Sequence, residues 1–178
     1  MEKVQTHMKY GLFTGIAMIV LGLILHVAGQ SFQSWSQYVT YIPLLAGLIL
    51  NAQAFAKANN HFVTFGNVFS SGFKACAIVT LIMLVWGVIS LYIFPDMREK
   101  AMEIAEKSMT ERGMSDDQIQ DALEMTKKFF IPFMMGGILF STMFYGAILS
   151  LIAAAIPKKM GNNQTPFDNN TPPEQFQH

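Results

Sequence analysis

The sequence predicts an all-α polytopic membrane protein, with four transmembrane helices and an extramembranous helical hairpin between the third and fourth spans. Three observations carry that prediction: long uncharged blocks, one block that gathers most of the charge, and helix-boundary signals at the edges of both. After Lys9 the next charge is Lys57, with 47 uncharged residues between them. Lys74 and Asp96 bracket 21 more uncharged residues, and Lys128 and Lys158 bracket 29. Residues 96–128 hold 15 of the 24 charged side chains. A water-soluble fold spreads charge along every element, because each needs a wet face; long dry blocks beside one wet block are what a bilayer requires.

Composition agrees. Hydrophobic residues make up 52% of the chain and charged ones 13%, about half the charged share of an ordinary soluble domain. A net charge of zero with no basic patch excludes a nucleic-acid binder. Cys76 is alone in a dry block, so it supplies neither a disulfide framework nor a zinc pattern, and reads as a small apolar side chain.

The first span is expected at 10–28. At 19 residues it is longer than the apolar region of a signal peptide, and it reads as a retained helix. Gly15, Gly22 and Gly29 recur every seven residues, and Gly11 adds a small-xxx-small pair with Gly15. This stripe is expected to face a neighbouring helix. Residues 30–37 are uncharged and carry Trp35, with Tyr38 and Tyr41 following, as at a membrane interface. The second span, 38–55, has Pro43 in its first turns, where a missing N–H costs least. In the next connector Phe65, Phe69 and Phe73 share a helical face. An unbroken helix from there to Phe94 would be about 46 Å long, well beyond the ~30 Å hydrocarbon core, so an elbow is expected at Gly72 before a third span at 75–94.

Pro95-Asp96 opens the charged block, 95–128. Met97, Ala101, Ile104, Ala105 and Met109 form one face up to a stop at Gly113. Ser115 and Gln118 fit a capping box, starting a second helix with Ile119, Ala122, Leu123 and Thr126 on one face. That helix is expected to run on through Phe129 into the fourth span, 130–156, with a kink at Pro132. The domain plan is therefore a tail at 1–9, a membrane domain at 10–159 and a tail at 160–178. The last is rich in Asn, Gln and Pro and is expected to be disordered.

Tyr41-Ile42-Pro43 with Gly47, and Phe130-Ile131-Pro132 with Gly136, begin both even-numbered spans alike, which suggests a duplicated two-helix unit with the hairpin inserted in the second copy. Two Lys precede the first span and none follows before the second, so both termini are expected to be cytoplasmic and the hairpin outside.

No Asp, Glu, Lys or Arg lies inside a span, where function in a membrane usually shows. Lys74 sits at a span end. His26, Asn51 and Gln53 read as helix-end polar groups at opposite interfaces. His7, His61 and His178 lack ligand-spaced companions. Met97, Met102, Met109, Met114 and Met125 could bind Cu(I), yet their spacing with Ala and Ile reads first as a hairpin core. No catalytic residue, cofactor-binding residue or metal ligand is predicted, and no cofactor.

The segment Phe65-Gly66-Asn67-Val68-Phe69-Ser70-Ser71-Gly72-Phe73-Lys74, the charged helical stretch after the third span, and the closing run from Leu149 to Lys159 resemble an uncharacterised family of bacterial four-helix membrane proteins, a domain of unknown function, over about 8–159. The resemblance implies a bacterial inner membrane and carries no activity. The expected role is a non-catalytic subunit, scaffold or regulator, whose partners are the lipid bilayer and a second copy or another membrane protein. The alternative is a small transporter or channel component for an uncharged or apolar solute.

Overall fold

A computed structural model describes residues 5–157; Lys158, Lys159 and the expected disordered tail lie outside them. In chain order the helices are α1 (Thr6–Val27), α2 (Ser36–Val39), α3 (Tyr41–Ala58), α4 (Phe65–Ile93), α5 (Asp96–Glu111), α6 (Asp116–Lys128) and α7 (Phe130–Ala155). There is no strand among the described residues. Of these, α1, α3, α4 and α7 are long and apolar enough to cross a bilayer, so the all-helical, four-span expectation holds. The α5–α6 pair is the hairpin between the third and fourth spans.

In the bundle α1 packs on α3 and α4, α4 packs on α7, and α3 packs on both α4 and α7. Leu44, Leu48, Val68, Cys76 and Val79 are fully buried, while Phe13, Phe140 and Phe144 stay exposed on outward faces. Apolar outsides are what hydrocarbon demands, and in that solvent the bundle needs close van der Waals contact more than hydrophobic drive. Glycines supply it. A methyl group at Gly11 would lie 2.9 Å from the carbonyl oxygen of Ala75, and one at Gly15 would lie 2.7 Å from Ile82 Cδ1. Gly47 receives Thr14, and Gly146 receives Cys76, whose thiol donates to the Thr142 carbonyl at 3.3 Å.

The expected stripe extends less far than its spacing suggests. Gly22 faces open space, with nothing within 4 Å of where its side chain would start. Gly29 lies past the helix end with φ +68°. There Gln30 N–H donates to Leu25 O (2.8 Å) and Gly29 N–H to His26 O (3.0 Å), the paired bonds that satisfy a helix's last carbonyls. Its role is a cap, and only Gly11 and Gly15 pack. The suggested duplication has no echo in its glycines either: Gly47 is filled by Thr14 while Gly136 is open.

Nor is there a break at Gly72. The helix α4 is continuous for 29 residues, about 43 Å at 1.5 Å per residue. Val68, Ser71, Gly72, Ala75, Cys76 and Val79 form one buried stripe along it, and Ser150 of α7 packs directly onto Gly72. The glycine is a contact point.

Continuity fails instead between α6 and α7. Phe129, with φ −108° and ψ 22°, separates them. Pro132, in the first turn of α7, has no N–H to offer the carbonyl four residues earlier, which weakens the helix there. Arg98 donates to Lys127 O, one of the last carbonyls of α6, at 3.0 Å, with its guanidinium 5.5 Å from the Phe130 ring centre. On α5 the stripe through Met102, Ala105 and Met109 is the more buried face. Met102 is buried, whereas Ile104, expected in the core, is 47% exposed, and Met125 is 60% exposed. The capping box at Ser115 and Gln118 forms as expected.

One polar cluster lies inside the bundle. Asn51, expected at a helix end, is fully buried. Its Nδ2 donates to Ser71 Oγ at 3.2 Å, and Thr6 Oγ1 lies 3.5 Å from the same oxygen, so α1, α3 and α4 meet at one hydroxyl. Among the described residues Asn51 Oδ1 and Ser150 Oγ are buried without a protein partner. The helix continues beyond Asn51 to Ala58, which is why a residue read as terminal lies in the core.

Two outcomes follow for stability in detergent, read by thermal unfolding. Gly15→Leu should destabilise by about 1–3 kcal/mol through overpacking against Ile82, while Gly22→Leu should match the parent; equal tolerance would remove the α1–α4 contact as a determinant. A double-mutant cycle on Asn51→Ala and Ser71→Ala should give a coupling of roughly 0.5–2 kcal/mol. Strict additivity would show that the buried hydrogen bond contributes nothing.

Candidate functional site

Gly22 opens onto a cavity of about 420 Å³ on the hairpin side of the bundle. That is within the ~300–1,000 Å³ range of small-molecule sites. Three segments build it. The last turns of α1 give Gly22, Leu23, Leu25 and His26; the connector and α2 give Ser31, Phe32, Gln33, Ser34, Ser36 and Thr40; α4 and the start of α5 give Trp86, Ser90, Phe94 and Met97. Half of this lining is polar and none of it is an ordinary acid or base apart from His26.

Local hydrogen bonds shape the wall. Ser36 Oγ donates to Gln33 O (2.7 Å) or Ser31 O (3.0 Å), which curls the connector into α2. Thr40 Oγ1 donates to Ser36 O (2.9 Å), and Ser90 Oγ to Gly87 O (2.8 Å). The His26 ring lies 4.2 Å from that of Phe94, tying the end of α1 to the end of α4. At the rim Lys100 pairs with Asp96 at 2.9 Å and sits 5.9 Å from the Phe32 ring centre. The hydrogen bond from Lys100 holds the Asp96 carboxyl below the usual carboxylate range.

A nucleophilic hydroxyl needs a base that takes its proton, and here Ser36, Thr40 and Ser90 give theirs to backbone carbonyls. Beside the cavity, Ile19 of α1 and Leu81, Ile82, Val85, Trp86 and Ile89 of α4 line an apolar groove of about 320 Å³ on the lipid-facing surface. Trp86 borders both spaces.

The polar residues singled out by sequence do not converge. His26 lines the cavity, Asn51 lies in the interhelical cluster, and Gln53 and Lys74 are exposed. Nor do the five hairpin methionines share one environment: Met97 lines the cavity, Met102 is buried between α5 and α6, and Met125 is exposed. Sequence reasoning missed the connector as a cavity wall. Its signal was present in six Ser and Gln residues, at positions 30, 31, 33, 34, 36 and 37, in a segment with no charge to hold it in water.

No curated protein and no solved structure matches this chain. A family profile described as protein of unknown function (DUF4199) matches residues 9–159, the whole membrane domain with its hairpin. The chain belongs to that family.

Proposed function

We propose that this protein is a non-catalytic subunit, scaffold or regulator of a bacterial inner membrane, with both termini cytoplasmic and the α5–α6 hairpin outside as its contact arm for another membrane protein or a second copy. The carrying observation is how the hairpin is mounted. Arg98 fastens α5 to the end of α6 and to Phe130 at the entrance of α7, so a load on the hairpin reaches a span directly. Ile104 and Met125 remain exposed on an otherwise charged pair of helices, the kind of apolar anchor within a polar rim that partners use. The orientation rests on the Lys residues that precede the first span.

A small transporter or channel component for an uncharged or apolar solute is the second reading, favoured by the cavity at one end of the bundle. Uptake by proteoliposomes above the protein-free rate would establish it, and rates equal to empty vesicles would remove it.

Accessibility tests the orientation. Lys107→Cys should react with a membrane-impermeant maleimide in intact cells and Ser70→Cys should not, both positions being exposed at opposite ends of the bundle; native Cys76 is buried and should stay silent. The reverse pattern inverts the topology. Replacing 95–127 with a flexible linker should leave a membrane-inserted protein that loses crosslinks formed by the intact hairpin in native membranes. Unchanged crosslinks would place the contact on the spans.

A further inference from the structure

The polar cavity and the apolar groove share one lining residue, Trp86 of α4. Groove residues run from Leu81 to Ile89, about 12 Å of helix at 1.5 Å per residue. Cavity residues take over at Trp86 and continue through Ser90 and Phe94 to Met97. One space is therefore wholly apolar and open to hydrocarbon, and the other is rich in hydroxyl and amide groups at the membrane surface. A shared indole forms the boundary. Such a pair of compartments has the polarity sequence of a lipid, tail to head.

We propose that together they hold one membrane glycerolipid, with part of an acyl chain along Leu81–Ile89 and a headgroup of zero net charge in the cavity beside His26. The bilayer is the source, because the groove opens sideways into it. Charge selects the headgroup. Among the described residues the ion pair at the rim, Lys100 with Asp96, cancels itself, so neither an anionic nor a cationic head gains a free counter-charge from it. Of the lining residues, Ser31, Ser34, Gln33 and His26 can donate to the acceptor oxygens of a zwitterionic or uncharged head without that cost. Gly22 keeps the cavity open, since nothing lies within 4 Å of where its side chain would start.

Trp86 is a built-in reporter once Trp35→Phe removes the only other tryptophan. That variant is reconstituted in dioleoyl phosphatidylglycerol vesicles containing increasing amounts of phosphatidylcholine with brominated acyl chains, so that probe and host differ in headgroup charge. Trp86 fluorescence should be quenched to saturation at a mole fraction about tenfold below that giving the same quenching in the Gly22→Leu variant, in which a side chain enters the cavity. Brominated phosphatidylglycerol, which is anionic, titrated into dioleoyl phosphatidylcholine vesicles should quench no more than in proportion to its mole fraction. Proportional quenching by brominated phosphatidylcholine in the Trp35→Phe protein would mean that Trp86 sees only exchanging annular lipid, and would overturn the site. Saturation that survives Gly22→Leu, with circular dichroism unchanged, would put the chain elsewhere and overturn it equally. Saturable binding of the anionic lipid alone would overturn the assignment of the headgroup.

Discussion

Everything in this bundle depends on how closely α1 and α4 approach at Gly11 and Gly15. Lipid tails are as apolar as the side chains they would replace, so helices gain little from leaving them; they gain from contacts tighter than lipid can make. With no Cβ, Gly11 lets the α1 backbone meet the Ala75 carbonyl, and Gly15 lets Ile82 sit against the helix itself. Gly47 and Gly146 do the same for α3 and α7. The buried Asn51–Ser71–Thr6 cluster adds direction to this packing. Polar groups that find each other across helices fix rotation and height, which apolar contacts alone leave loose.

The cavity lies further along the same pair of helices. Gly22 faces open space, although beyond it His26 of α1 still meets Phe94 of α4, with 4.2 Å between ring centres. Gly22 and His26 line the cavity, and Trp86 borders both it and the groove. The connector between α1 and α3 forms one wall of the cavity, curled by the Ser36 hydroxyl that donates to backbone carbonyls. Ile82 belongs to both arrangements, since it packs on Gly15 and lines the groove.

The hairpin obeys different rules because it stands in water. Its helices are short and strongly charged, and they are held by a capping box, a left-handed Gly113 and a small shared core around Met102 and Ile119. Such a core is too small to be robust alone. Arg98 connects it to the bundle where Phe129 and Pro132 interrupt the path from α6 to α7. The break and the clamp belong together, since a helix end leaves carbonyls that need donors.

The spans and the hairpin were legible in the sequence because both are consequences of solvent. Uncharged runs must be helical in hydrocarbon, and a block with most of the charge must lie outside it. The capping box at Ser115 and the stop at Gly113 were equally legible, being local in sequence and decided within four residues. Tertiary structure decided the rest, because it turns on which neighbour covers a residue. Gly15 and Gly22 have the same spacing signal, yet only one meets a side chain. Gly72 looked like an elbow until Ser150 was found packed upon it. Asn51 looked terminal until the helix ran on and Ser71 met it. Ile104 and Met102 fit alternative stripes of the same helix, and only Met102 is buried. Spacing along one helix states which residues share a face; only the angle and distance of the next helix state what that face touches, and therefore where the cavity opens.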